Sequence, residues 1–129
     1  RDSPYYQKSI ELMPLSVEAR LGYVNPAAAL GNWAQVEKQY IEILNFDPHN
    51  STVNYRLGLI HYGRGAYQTA LNYFSKVINL YPFDYDTAIM VAWSQLKLGR
   101  MREAKVMFQK ALLMKPNDSS ALEGLELIQ

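Results

Sequence analysis

The side chains that could do chemistry are few, and their spacing suggests no common site. The two histidines, His49 and His61, have no second histidine and no cysteine at the spacing that a metal site requires. The chain has no cysteine at all, which excludes disulfide bonds and thiolate ligands. Asp84 and Asp86 are close in sequence, but Asp84 is well placed to cap a helix, so we expect no catalytic carboxylate pair.

The glycines at 63 and 65 do not form a phosphate-binding loop. Such a loop requires a longer glycine spacing and a closing lysine followed by serine or threonine, whereas Gly65 is followed by alanine and tyrosine. No serine stands in the context of a nucleophile elbow. We therefore predict no catalytic residue, no metal site and no cofactor, and we expect that this chain is not an enzyme.

Charge is nearly balanced, with 13 basic and 12 acidic residues. Such a balance gives no overall argument for nucleic acid or an anionic membrane as a partner. One local bias is basic and is opposed mainly by Glu103. Such a cluster of basic residues would suit an acidic partner or phosphate. We expect instead that these side chains are solvated, at a turn and on an outer helix face. The residues concerned are Lys97, Arg100, Arg102, Lys105, Lys110 and Lys115.

The composition is that of a soluble protein, with 49% hydrophobic and 19% charged residues. No apolar run approaches the roughly 18 residues that suggest a membrane span. The absence of cysteine is compatible with both the cytoplasm and the periplasm, so the compartment stays unknown. Because Arg1 is not an initiator methionine and no leader follows it, we expect an excised fragment or a processed chain.

An internal repeat of 34 residues organises the chain. Internal repeats of this length are typical of helical solenoids, in which stacked units bury a shared core. Several independent columns keep the same step. They are the prolines Pro14, Pro48, Pro82 and Pro116, the glycines Gly31, Gly65 and Gly99, and the aromatics Tyr6, Tyr40, Phe74 and Phe108.

Each period contains two amphipathic segments with apolar residues three and four apart, which predicts two helices that each bury one face. Glycine punctuates the pair as expected just past a helix end, and proline stops the second helix. Asp84 and Asp118 are predicted to be N-caps. The predicted helices cover residues 51–62, 67–80, 85–98, 101–114 and 119–129.

These columns resemble the tetratricopeptide repeat over nearly the whole chain. The best match runs through Leu57, Gly58, Tyr62, Gly65, Tyr67, Ala70, Phe74 and Pro82. The resemblance implies an all-α fold, a right-handed α-solenoid of antiparallel helix pairs in one domain. Its repeats would occupy 17–50, 51–84 and 85–118. Residues 1–16 would be the second helix of a truncated preceding repeat, and 119–129 a terminal capping helix.

The resemblance also implies that the first helices of successive repeats line a concave groove. Helical spacing supports this placement independently, because residues three and four apart share a helix face. The set is rich in tyrosine, tryptophan and aliphatic residues, which are common binding anchors, although tyrosines there also stack between neighbouring repeats. The predicted groove residues are Leu21, Asn25, Tyr55, Leu59, Tyr62, Asp86, Ile89, Trp93 and Leu96, with Glu18, Ala28 and Thr52 at equivalent positions.

A subtype of the family grips the C-terminal carboxylate of chaperones with lysine, arginine and asparagine side chains in the groove. Only Asn25 matches that pattern here. Leu21, Arg56, Asp86 and Met90 stand in the other columns, and Asp86 is acidic where the subtype uses lysine. We therefore do not expect this chain to bind chaperone tails.

The leading hypothesis is a non-catalytic protein–protein interaction scaffold that binds a peptide or helix of a partner protein in the groove. A structural alternative is self-association, with end helices stacking on other copies or within a larger array. A third hypothesis is a module that positions a catalytic domain elsewhere in a longer protein. Nucleic acid and membrane are not expected partners.

Overall fold

The computed structural model describes residues 32–129, which form α-helices joined by short turns. No strand occurs in that range, and the predicted all-α fold is confirmed there. The predictions for residues 1–31, including Leu21 and Asn25, lie outside the described residues. The six described helices are α1 (Trp33–Phe46), α2 (Ser51–Gly63), α3 (Tyr67–Leu80), α4 (Tyr85–Lys97), α5 (Met101–Met114) and α6 (Ser119–Ile128).

The chain divides into two compact units, residues 1–53 and 54–129. Within the described part of the first unit, Asn32 caps α1 by accepting a hydrogen bond from the backbone N–H of Gln35 at 3.3 Å. Val36, Tyr40 and Ile43 are buried along one face of α1, as their spacing of four and three residues requires.

Polar caps mark the starts of the later helices. The Asp84 carboxylate accepts from the backbone N–H of Thr87 at 3.1 Å, and that of Asp118 from the N–H of Ala121 at 3.0 Å. Both N-cap predictions are therefore confirmed. Asn50, one repeat earlier, accepts likewise from the N–H of Val53 at 2.9 Å. The same column thus satisfies free N–H groups at the start of three helices.

Glycine explains the two turns that reverse the chain within a helix pair. Gly65 and Gly99 have φ values of +79° and +80°, in the left-handed region that other residues rarely adopt. The N–H of Gly99 donates to the carbonyl of Leu96 at 3.0 Å, and the next N–H donates to that of Gln95 at 2.9 Å. The same pair of bonds follows α2, and both match the Schellman helix ending.

The core of residues 54–129 is built around two fully buried phenylalanines. Phe74 of α3 packs with Ala70 and Leu71 of its own helix and with Val91 of α4. Phe108 of α5 occupies the equivalent place one repeat later. It packs among the small residues of α4, α5 and α6, namely Ala92, Ala104, Ala111 and Ala121.

Each phenylalanine ring faces a glycine on a neighbouring helix. A Cβ atom added to Gly58 would overlap the ring of Phe74, and one added to Gly124 would overlap the ring of Phe108. Neither ring can swing away easily, because both side chains are fully buried and protein interiors are close-packed. Because these glycines have no side chain, the aromatic ring fits between the two helices.

We expect Gly58→Ala to lower the free energy of unfolding by about 1–3 kcal/mol through overpacking, although alanine is the better helix former. Gly63→Ala is the matched control, because a Cβ there meets nothing within 4 Å and the residue lies in the same helix. Its effect should stay within about 0.5 kcal/mol or be slightly stabilising. Urea unfolding followed by circular dichroism measures both, and equal stability of the two variants would contradict this account of the core.

Candidate functional site

The structure places six predicted groove residues on two helices of the second unit. Tyr55, Leu59 and Tyr62 lie on α2, and Ile89, Trp93 and Leu96 lie on α4. Each trio lies along one side of its helix, because its members are four and three residues apart. Asp86 belongs to the same α4 face, one turn before Ile89, and is exposed.

The α2 side of this surface combines an accessible leucine with two half-buried tyrosines. Leu59 is 39% exposed and stands between Tyr55 and Tyr62. The Tyr55 ring lies 5.7 Å from the Phe74 ring, and the Tyr62 ring meets Tyr67 edge-on at 5.1 Å. Such aromatic contacts restrict the movement of the two tyrosine rings. Each ring is therefore held in a defined position on the same side of α2 as Leu59.

Two carboxylates at the start of α4 place negative charge near Tyr55. Burial raises the pKa of Tyr55, and the negative charges of Asp86 and Asp84 raise it further. Burial likewise raises the pKa of Tyr62, with a smaller effect from Tyr67. Both hydroxyl groups therefore remain neutral donors at ordinary pH, and Asp86 supplies a negative charge next to Tyr55.

The α4 residues are more deeply engaged in the core. Ile89 is only 8% exposed, so little of its side chain is available to a ligand. Trp93 is half-buried and meets the Phe108 ring edge-on at 5.1 Å. Its indole Nε1 donates a hydrogen bond to the Ser120 hydroxyl at 2.8 Å. Trp93 thus fastens α6 to α4, in addition to any contact it makes with a ligand.

Sequence reasoning missed the contribution of α6 to this surface. Ser120 stands 34 residues after Asp86, in the same column of the repeat, and Leu127 stands 34 residues after Trp93. Leu127 is 62% exposed. Extending the groove columns into the terminal helix would have found both residues. Ser120 contacts Trp93, and the exposed Leu127 adds apolar area on α6.

A hydrogen bond between the start of α4 and the N-cap of α6 holds α6 in place. The Tyr85 hydroxyl donates to the Asp118 carboxylate at 2.6 Å, and the Lys115 ammonium lies 3.8 Å from the other carboxylate oxygen. Burial raises the pKa of Tyr85 to about 12, assisted by this hydrogen bond. Burial opposes ionisation of Asp118, but Tyr85, the Ala121 N–H and Lys115 together lower its pKa.

Each histidine has a simple position in the part of the chain that the structure describes. His61 stacks on Tyr73 with ring centroids 5.6 Å apart, and His49 is exposed in the turn before α2. Within residues 32–129, no three histidine, aspartate or glutamate side chains are grouped to hold a metal ion. Among the helices described, none is both long and apolar enough to cross a membrane.

Comparison with known families identifies the class of protein. The tetratricopeptide repeat model matches residues 61–126, just over half of the chain. The chain therefore belongs to the tetratricopeptide repeat family, as the proline, glycine and aromatic columns predicted. Proteins of this family are in general interaction modules without catalytic activity of their own.

Two curated relatives illustrate how widely the repeat is used. TPR repeat-containing protein YpiA of Bacillus subtilis is 25% identical over 122 residues, which cover 95% of this chain and 29% of the relative. Superkiller complex protein 3 of Mus musculus is 34% identical over 95 residues, which cover 74% of this chain and 6% of the relative. The chain thus spans less than a third of the length of either protein.

Solved structures show the same helical-repeat fold. MamA from Desulfovibrio magneticus RS-1 superposes with a TM-score of 0.86 at 17% identity, covering 96% of this chain and 70% of that one. The first tetratricopeptide domain of Spaghetti (RPAP3), bound to an HSP90 peptide, superposes with a TM-score of 0.73 at 17% identity, covering 81% and 83%. At such identities the likeness shows the fold.

We expect Asp118→Ala to destabilise the protein more than Asp84→Ala, by about 1 kcal/mol at neutral pH. Both variants lose an N-cap and the acceptor of one hydroxyl group, since Asp84 also accepts from the Thr87 hydroxyl. Only the Asp118 carboxylate is buried, and its donor, Tyr85, lies at the start of a different helix, α4. The lowered pKa means that this stabilisation is present above the ordinary aspartate value of 3.8 and is lost as the pH falls through the folded-state value.

Urea unfolding of both variants and the wild type at pH 7 and at acidic pH tests this sign. The difference between the wild type and Asp118→Ala should shrink in acid. A pH-independent difference, or equal costs for the two variants at pH 7, would show that the carboxylate–tyrosine bond does not hold α6.

Proposed function

We propose that this chain is a non-catalytic interaction scaffold that binds a segment of a partner protein along α2, α4 and α6. The observation that carries the proposal is the accessible Leu59 between two tyrosines whose rings are fixed by Phe74 and Tyr67. Rigid aromatic side chains beside an exposed aliphatic one offer binding area at a small entropic cost. The predicted repeats 51–84 and 85–118 would present this surface.

The ligand that suits this surface is apolar with a basic neighbour. Leu59 and Leu127 offer apolar area, and Asp86 offers a negative charge beside Tyr55. The peptide seen on Spaghetti belongs to HSP90, but Asp86 would repel a carboxylate at the column where the chaperone-binding subtype has lysine. We therefore propose a segment with aliphatic or aromatic side chains and a lysine or arginine facing Asp86. Leu21 and Asn25 remain predictions for the same groove.

A second candidate function is stacking through the end helix. Leu122 is 47% exposed on α6, whereas Ala88 in the same column one repeat earlier is fully buried, and helices of a repeat array normally bury such residues against a neighbour. A second copy, or a further repeat in a longer protein, would cover Leu122. Sedimentation at increasing concentration tests the first case. A Leu122→Glu variant should then sediment as a monomer where the wild type associates.

We expect Leu59→Glu to weaken the binding of groove ligands by at least about tenfold. A random peptide library panned against the wild-type chain supplies the ligands, and fluorescence anisotropy of the synthesised peptides measures their affinity. The new carboxylate places a second negative charge on an apolar contact, and the exposure of Leu59 predicts that the fold survives.

Leu80→Glu is the matched control, because it introduces the same change at a leucine that is 50% exposed on a second helix of a pair, α3, outside the groove residues. It should leave the affinity of these peptides unchanged. If Leu59→Glu binds them as well as the wild type, or if both variants lose binding equally, the site is not the α2 and α4 surface.

A further inference from the structure

The outward face of α5 carries exposed apolar residues that the groove proposal does not use. Val106 is 62% exposed and Leu113 is 85% exposed. They are seven residues apart with Lys110 between them, so the three side chains form one stripe along two turns of the helix. We call Val106, Lys110 and Leu113 the back stripe.

The preceding repeat shows that this stripe is not required by the fold. The residues 34 positions earlier, on α3, are Asn72, Lys76 and Asn79, and all three are exposed. In α1, 68 positions earlier, the same columns hold lysine, glutamate and asparagine. The lysine is thus kept between α3 and α5, whereas both neighbours change from polar to apolar. Apolar residues at these positions cost solubility and bring nothing to the core.

Stacking of further repeats does not account for the exposure. In α3, the residues of these columns remain exposed although the next repeat is present: α4 packs on α3, and α5 packs on α4. A repeat added after α6 would stand in the same relation to α5. The back stripe would therefore stay accessible in a longer array, and its occupant must come from elsewhere.

The charges around the stripe indicate the chemistry of that occupant. Helix α5 carries three cations, Arg102, Lys105 and Lys110, against one acid, Glu103. The Lys110 ammonium lies 5.4 Å from the centroid of the Phe83 ring, and Phe83 is 80% exposed in the turn after α3. The Phe83 ring extends the apolar area beside the back stripe. Its cation–π contact with Lys110 keeps the ammonium group next to that area.

We propose that the back stripe and Phe83 bind an amphipathic helix of a partner protein that carries glutamate or aspartate along the edges of its apolar face. The apolar residues of such a helix would cover Val106 and Leu113, and its acids would meet Arg102 and Lys110. This site lies on a second helix of a pair and is separate from the groove residues of α2 and α4.

A membrane surface fits these residues less well. Lipid-binding clusters usually gather about 4–8 cations on one surface. Helix α5 has three, with Glu103 among them, and the other cations of this region, Lys97, Arg100 and Lys115, lie outside the helix. The Phe83 ring, which would have to enter the lipid, already faces the Lys110 ammonium. The stripe is also a single helix wide, which suits one helix laid along it.

The test uses a synthetic, fluorescently labelled helix of about five turns, with leucines on one face and glutamates along both edges of that face. A second helix has lysines in place of the glutamates. We expect the wild-type chain to bind the acidic helix at least about tenfold more tightly than the basic one. Raising the salt concentration should weaken that binding, because exposed charges are screened.

The decisive variant is Val106→Asn/Leu113→Asn, which installs the residues that α3 already carries in these columns. It should lose at least about tenfold in affinity for the acidic helix and keep its helical circular dichroism. Leu80→Asn is the matched control, because it removes an exposed leucine from α3, outside the stripe. Leu80→Asn and Leu59→Glu should bind the acidic helix as the wild type does.

Lys110→Glu gives an independent reading should the double variant fold poorly. It should weaken the acidic helix and strengthen the basic one. Equal binding of both helices by the wild type, or equal binding of the acidic helix by the wild type and Val106→Asn/Leu113→Asn, overturns the proposal. Binding of phosphatidylserine vesicles by the wild type, without binding of the acidic helix, would assign the stripe to a membrane surface and overturn it as well.

Discussion

The second unit depends on two aromatic rings that can be buried only where the facing helix lacks a side chain. Phe74 lies against Gly58 and Phe108 lies against Gly124, and in both cases a single methyl group would overlap the ring. Burial of a phenylalanine is worth a few kcal/mol, but it is available here only at one helix spacing. The phenylalanine column therefore sets how closely neighbouring helices pack, and the turns at Gly65 and Gly99 must return the chain at that distance.

Sequence periodicity predicted most of this architecture because each helix boundary has a local physical cause. Aspartate caps, left-handed glycines and helix-stopping prolines act within a few residues, and the predicted helices match α2 to α6 to within one residue at each end. The cap at Asn50 was missed, although it shares the column of Asp84 and Asp118. Asparagine is as good a cap as aspartate, so the column itself held the signal.

The candidate site was less predictable because its side chains serve two purposes. Helical spacing placed Ile89 and Trp93 on the groove face of α4, but spacing cannot tell how deep a residue lies. Ile89 is nearly buried, and the Trp93 indole is engaged by Ser120 of the next helix. Those contacts join residues 27 or more positions apart, and they depend on how the repeats stack. Leu59 stays accessible on α2, which makes it the sharper probe of the groove.

Comparing equivalent positions of successive repeats separates the residues that packing requires from those that it does not. A fold built from equivalent units requires the same residue types in the same columns wherever packing alone decides, as with Phe74 and Phe108. Where a column lies outside the core, packing does not fix its residue type, so a change from polar to apolar needs another explanation. Asn72 and Asn79 become Val106 and Leu113 on an outer face, while Lys76 and Lys110 stay basic. Neither packing nor solubility favours the change, and this is why we assign the apolar stripe to the binding of a partner.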